Sequence, residues 1–181
     1  QTCALPIYLA GAFGKEADAV SPYAASAFFA VDRYASYQMK WKEYYESGGI
    51  VLADRYTTSN MVHQAVKIAG KEEREAYIAW ISDFEYQKLG LPRPDGVIFL
   101  DMAPSVSDRL LTARAKAEGR GDIHEADRAY LHRCHEAYQN VAARFGWHRV
   151  LCSEGDAPRP AEDIAAEVYA AAMAMIEGKV K

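Results

Sequence analysis

Three short stretches carry residue types that could do chemistry. In "GGIVLADRYTTSN" (48–60), an apolar run ends by delivering Asp54 and Arg55 side by side. A carboxylate is a hard oxygen ligand that can hold Mg²⁺, usually through a metal-bound water, and a guanidinium is a planar fork that matches phosphate oxygens. In "FFAVDR" (28–33), Phe29 and Arg33 stand four apart and share one helix face. An aromatic plane beside a forked donor can stack on a base and hydrogen-bond its edge. In "TARAKAEGRGD" (112–122), Arg114 and Arg120 flank a Gly-broken segment. Positive charge on a closing loop suits phosphoryl transfer, where charge spreads over the equatorial oxygens. Each stretch also has a plain structural reading: a strand-end ion pair, a core phenylalanine beside a surface arginine, and a solvated loop.

Other reactive side chains form no such pattern. His132 and His135 share a helix at i, i+3 without an acidic or Cys partner at metal-ligand spacing, and they read as a solvated face; His63, His124 and His148 are scattered. Neither a Gly-x-Ser-x-Gly elbow nor a Cys–His dyad is identifiable. Cys3, Cys134 and Cys152 are odd in number and irregular in spacing. With no secretory signal, they suggest the reduced thiols of a cytoplasmic protein.

The elements that must position these residues follow from patterning. A chain of 181 residues, 50% hydrophobic and 25% charged, suits one globular domain. Its formal net charge of -4 gives no global case for a nucleic-acid or membrane partner. No apolar run approaches the roughly 18 residues of a membrane helix. Ser21-Pro22 is a helix opening, Ser as N-cap and Pro at the first position, and the helix runs to about Ser47, where Gly48-Gly49 stop it. "IVLAD" (50–54) reads as a strand, followed by a short helix to about Ile68 and a charged amphipathic helix from Lys71 to Leu89. After the turn-rich "GLPRPDG" come a second strand, "VIFLD" (97–101), and a helix opened by Pro104 that runs to about Lys116. A long helix ending near Phe145, the strand "HRVLCS" (148–153), the loop "EGDAPRP" and a closing helix from Ala161 to Glu177 complete the chain. Short apolar strands separated by helices imply an α/β class, with parallel strands buried between helices on both sides. Ligands in such sheets bind beyond the carboxyl ends of the strands, where Asp54, Asp101 and the loop after Ser153 fall.

Taken in order, "SPYAASAFFAVDRY", "GGIVLADRYTTSN", "LPRPDGVIFLDMAP", "DIHEADRAYLHRCHEAY" and "VLCSEGDAPRPAEDIAAEV" resemble the thymidylate (dTMP) kinases, over essentially everything from Tyr8 to Glu177. The resemblance implies a P-loop NTPase-like, three-layer α/β/α fold and transfer of the γ-phosphoryl group from ATP to dTMP with Mg²⁺. It makes Asp54 the metal-associated carboxylate and Arg55 the holder of the dTMP phosphate. Phe29 would stack on thymine and Arg33 would hydrogen-bond its exocyclic oxygen. Ser59, Asn60 and Gln64 fall on the nucleotide wall, with Asn60 near the thymine edge. His63 stands where many relatives have Tyr, beside the sugar, which makes it a candidate for the choice of deoxyribose over ribose. The segment from about 114 to 126 matches the lid over ATP, with Arg114 and Arg120 toward the phosphates. Ser153 and Gly155 belong to the adenine-side wall. A homodimer packed through helices is also implied, with the aromatic-rich 23–45 helix contributing.

Two departures stand out. The family's first strand and its Gly-rich loop of the G-x-x-x-x-G-K-[ST] type do not occur in the chain, and "AGAFGKEA" has neither the spacing nor the strand before it. "QTCALPI" (1–7) also reads as the translation of a sequencing-library adapter, so native sequence is expected from near Tyr8, after a lost unit of more than about 30 residues. In the family's five-stranded parallel sheet the first strand lies in the middle. Its loss, with the second, would leave "IVLAD" roughly 10 Å from "VIFLD", two strand spacings of about 4.8 Å, with buried backbone groups unpaired. The chain as written is therefore expected to fold poorly and to show no turnover. Alternatives are another nucleoside-monophosphate or deoxynucleoside kinase of the same fold, and a non-catalytic nucleotide-binding remnant.

Overall fold

The computed structural model of the chain describes residues 4–14, 19–118 and 127–178, which divide into two compact units, 1–93 and 94–181. The first unit is helical. After α1 (Ala4–Leu9), α2 (Pro22–Ser36) starts as its sequence demands: Ser21 Oγ accepts the Ala24 amide at 3.2 Å, and Pro22 occupies the first turn. A π-helical turn (Tyr37–Trp41) leads into α3 (Lys42–Glu46), so the expected single helix is interrupted by a widened turn. Next come α4 (Thr57–Ala65) and α5 (Lys71–Ser82), and α5 runs on into a second π-helical turn (Asp83–Lys88).

Residues 50–54 depart from the sequence reading. They form no strand, and Ile50, Val51 and Leu52 are exposed, Leu52 at 83%. A strand needs a ladder partner for its N–H and C=O groups, and no strand occurs among the described residues of this unit. Without one, the apolar run has nothing to be buried against.

The core of the unit lies where α4 meets α5 and its π-helical extension. Met61, Ala65, Tyr77, Ile81 and Tyr86 are buried together, with Trp80 and Phe84 stacked at 5.3 Å against their rim. Tyr77 is fully buried, and its hydroxyl meets Ser26 Oγ of α2 at 2.6 Å and Asn60 O of α4 at 3.3 Å, which ties three helices to one point.

The second unit holds the parallel sheet. Strand β1 (Ile98–Asp101) pairs with β2 (His148–Leu151) in the register Ile98↔His148 to Asp101↔Leu151. Two described helices, α6 (Pro104–Glu118) and α7 (Arg128–Phe145), lie between them in sequence, as a parallel crossover requires. The N-terminus of α7 is capped by Asp127, whose carboxylate accepts the Tyr130 amide at 2.8 Å, and Gly146 at φ 66 ends it in the left-handed cap. The expected loop after β2 is instead a small hairpin, β3 (Ser153–Glu154) against β4 (Ala157–Pro158), turning at Gly155, before α8 (Ala161–Ile176). Among the described residues the parallel sheet has only these two strands, an incomplete version of an α/β layer. No described helix is long and apolar enough to cross a membrane.

Candidate functional site

Asp54 and Arg55 occupy the bend that leads into α4, both exposed. Arg55 holds φ at 64°, the only non-glycine in the left-handed region among the described residues. A non-glycine side chain held there costs of order 1 kcal/mol and calls for a reason. Its Nε donates to Ser59 Oγ at 3.4 Å, across the first turn of α4. The backbone thus turns sharply enough to leave both charges at the surface while Thr57 already begins a buried helix.

Asn60 and Gln64 follow one turn apart on α4, 5% and 1% exposed. Both Asn60 Nδ2 hydrogens are used, one donated to Ser26 O at 3.2 Å and one to Glu85 Oε1 at 3.1 Å. Asn60 Oδ1 and Gln64 Oε1, by contrast, are buried without a hydrogen-bond partner. A buried acceptor left unpaired costs about 1–3 kcal/mol, so these two on one helix face are positions that a water or a donor group of a ligand would satisfy. His63 lies between them in sequence and is half-buried.

The residue that organises this wall is one the sequence reading missed. Glu85, in the second π-helical turn, is 0% exposed. Its Oε2 accepts Arg33 Nε at 2.7 Å and Thr57 Oγ1 at 2.9 Å; its Oε1 accepts Arg33 Nη2 at 3.3 Å and Asn60 Nδ2 at 3.1 Å. The charge is matched by Arg33, and the four donors satisfy the carboxylate, which is what allows it to be buried. The signal was present in the sequence: Tyr77, Ile81 and Glu85 recur at four-residue intervals along the buried stripe, and the third is charged. Arg33 also lies 5.3 Å from the centre of the Tyr56 ring. Phe29, one turn earlier on α2, is half-buried with Tyr8 edge-on at 6.0 Å. Burial pushes the Tyr56, Tyr77 and Tyr86 hydroxyls above their ordinary 10.0, so these phenols stay neutral and act as packing and hydrogen-bonding groups. Phe29, Arg33, Arg55, Ser59, Asn60, His63 and Gln64 therefore all lie on α2, α4 and the bend before α4, with Arg33 and Asn60 joined through Glu85.

In the second unit the expected residues fare differently. Arg114 is exposed on α6, and Arg120, with lid residues 119–126, lies outside the described residues. Ser153 Oγ accepts the Ala103 amide at 3.0 Å, so it fastens the hairpin to the segment before α6. Gly155 sits at φ 55, a turn conformation that side chains rarely adopt. Asp101, the acid that does end a strand, is not open to a ligand. It is 3% exposed, lies 2.6 Å from His135 Nε2, and accepts Gln139 Nε2 at 3.1 Å and Arg149 Nε. Burial pushes its pKa up, but the bonds from His135, Gln139 and Arg149 outweigh this and leave it below the ordinary 3.8. The reading of His132 and His135 as a solvated face holds for His132, which is exposed, and is overturned for His135. His132 Nε2 lies 2.9 Å from Asp108 Oδ2, and His135 is mostly buried against Asp101. Their acidic partners come from other elements, which spacing along one helix cannot reveal.

No group of three or more His, Cys, Asp or Glu side chains able to hold a metal occurs among the described residues. Asp54 nonetheless fits Mg²⁺, an ion commonly held by one or two carboxylates with waters and substrate phosphates completing its shell.

The family model described as thymidylate kinase matches residues 11–165. The chain is 30% identical to the thymidylate kinase of Mycobacterium tuberculosis (strain ATCC 25618 / H37Rv) over 153 residues, 81% of this chain and 69% of that protein. It is 28% identical to the probable thymidylate kinase of Pyrobaculum aerophilum, over 82% of this chain and 67% of that one. With the thymidylate kinase of Leifsonia xyli subsp. xyli the identity is 32%, over 82% and 65%. A match across most of the chain, taking in both units, settles the matter of descent: the chain belongs to the thymidylate kinase family.

Proposed function

We propose that this chain carries the acceptor side of a Mg²⁺-dependent transfer of the γ-phosphoryl group from ATP to dTMP. The observation that carries the reading is the pair of buried, unpaired amide oxygens on α4, Asn60 Oδ1 and Gln64 Oε1, beside an arginine held by Glu85. Thymine offers an N–H next to a carbonyl, so Asn60 Oδ1 accepts the N–H and Arg33 donates to the carbonyl, with Phe29 stacking on the ring. Arg55 grips the acceptor phosphate as a fork, and Ser59 steadies Arg55. Asp54 would hold Mg²⁺, which when bound would offset charge on the transferring phosphoryl group. His63 sits at the sugar, and in a complete enzyme that carries the phosphate loop its exchange to Tyr is expected to raise the kcat/KM ratio of dTMP over ribo-TMP. Arg114 and Arg120 offset developing charge from the donor side, while Ser153 and Gly155 shape the adenine wall. No covalent intermediate is needed: a phosphate oxygen of dTMP attacks the γ-phosphorus in line as the bond to ADP breaks.

The 181 residues contain no G-x-x-x-x-G-K-[ST] segment. Such a loop supplies the backbone N–H groups and the Lys that position the donor phosphates, and positioning is most of this chemistry. The chain by itself is therefore read as binding dTMP without turning it over. Calorimetric titration with dTMP, dCMP and dAMP, alongside coupled ADP release with dTMP and ATP, tests both halves. Selective heat with dTMP and no ADP release is the expected result; equal heats from all three nucleotides would sink the substrate assignment.

A further inference from the structure

Resting on the dTMP reading, we propose that Glu85 is a positioning residue that sets the choice of thymine over cytosine. It does so by fixing which way the Asn60 amide points and where the Arg33 guanidinium lies.

An amide can turn over and exchange its oxygen for its NH₂, so its orientation must be argued from the partners. At Asn60 the partners decide. The Nδ2 side faces Ser26 O at 3.2 Å and Glu85 Oε1 at 3.1 Å, both acceptors without a hydrogen to give. Turning the amide would set Oδ1 against a backbone carbonyl and a buried carboxylate and break two hydrogen bonds at once. The oxygen is thereby locked toward the unpaired position. The same carboxylate draws Nε and Nη2 of Arg33 to itself, which fixes the plane of the guanidinium and leaves Nη1 as the nitrogen with neither hydrogen given to Glu85.

On the dTMP reading, a base brought against this wall meets one fixed acceptor and one fixed donor. Thymine presents an N3–H beside O4 and meets both. Cytosine presents a bare N3 beside an N4 amine and meets acceptor with acceptor and donor with donor. Discrimination of this kind depends on the amide being unable to turn, which the Ser26 carbonyl and the Glu85 carboxylate enforce together. A glutamine at position 85 could donate its own NH₂ to a turned Asn60 oxygen, which removes the carboxylate's share of the penalty and leaves that of the Ser26 carbonyl. Glu85 need not touch the nucleotide for this. It acts through Asn60 and Arg33.

Titrations of dTMP and dCMP into the 181-residue chain and its Glu85→Gln variant provide the test, with circular dichroism to confirm that each is folded. The chain itself is expected to favour dTMP by tenfold or more, and Glu85→Gln to cut that preference about tenfold while dCMP affinity holds or rises. A purely structural role would weaken both nucleotides together and leave the ratio unchanged, which would overturn the proposal while the dTMP reading stands. An unaltered chain with no preference for dTMP would overturn the reading and this inference together. If Glu85→Gln does not fold, Glu85→Asp keeps the charge but retracts the carboxylate. A loss of preference of threefold or more then supports the proposal, and an unchanged ratio overturns it.

Discussion

Asn60 Nδ2 stands 3.1 Å from Glu85 Oε1, and the two residues come from elements separated by a helix and a turn. Through that contact the buried carboxylate of the second π-helical turn reaches the wall on which a base would rest. Arg33 approaches the same carboxylate from α2 at 2.7 Å, so three elements converge on one ion.

That convergence has an energetic consequence. Glu85 is fully buried and Arg33 supplies its matching charge, so Arg33→Met leaves an unpaired buried carboxylate. Loss of one partner of such a pair costs about 3–5 kcal/mol. The double variant Arg33→Met/Glu85→Gln is expected to recover part of this, because the orphaned charge is gone. Denaturant melts of the two variants check it; a double variant less stable than Arg33→Met would count against the pairing.

Arg55 separates phosphate binding from backbone strain. Its φ of 64° is one a glycine adopts without cost. Arg55→Gly is expected to leave thermal stability unchanged or slightly higher, while dTMP affinity falls at least tenfold and thymidine affinity does not change. Equal losses for dTMP and thymidine, measured by titration, would remove Arg55 from the phosphate.

The second unit should be acid-sensitive. The folded pKa of Asp101 lies below 3.8, so its ion cluster contributes full stability above that pH and loses it as pH falls through the folded value. The transition midpoint of the chain is expected to drop steeply below about pH 3.8, and Asp101→Asn to flatten that drop while lowering the plateau at neutral pH. Denaturant midpoints across pH 7 to 2.5 read both.

Residues 50–54 are an aggregation hazard. Ile50 and Leu52 are 61% and 83% exposed on a segment with no strand partner. Unpaired apolar backbone of this kind templates association, and a charge blunts it. Leu52→Lys is expected to reduce light scattering on concentration without lowering the melting temperature, and the 50–54 amides to exchange with little protection. Slow exchange there, measured by mass spectrometry, would mean that the segment is paired in solution.

Much of this was legible in the chain itself. Ser21-Pro22 acts locally, because a cap and a fixed φ need only the next turn of the helix. The runs at 97–101 and 148–153 were legible as strands, and they became strands because each has the other as its ladder partner, whereas 50–54 has none among the described residues. Phe29, Arg33, Asp54 and Arg55 could be singled out because motif spacing is a property of sequence, and Asn60 because the family resemblance points to it. What tertiary structure alone decided is who meets whom. Glu85 among donors from α2 and α4, Asp101 consumed by α7 and β2, and the exposure of Leu52 all depend on contacts between residues far apart in the chain. A buried charge is tolerated, and an apolar run is buried, only when such partners arrive, and no local pattern encodes their arrival.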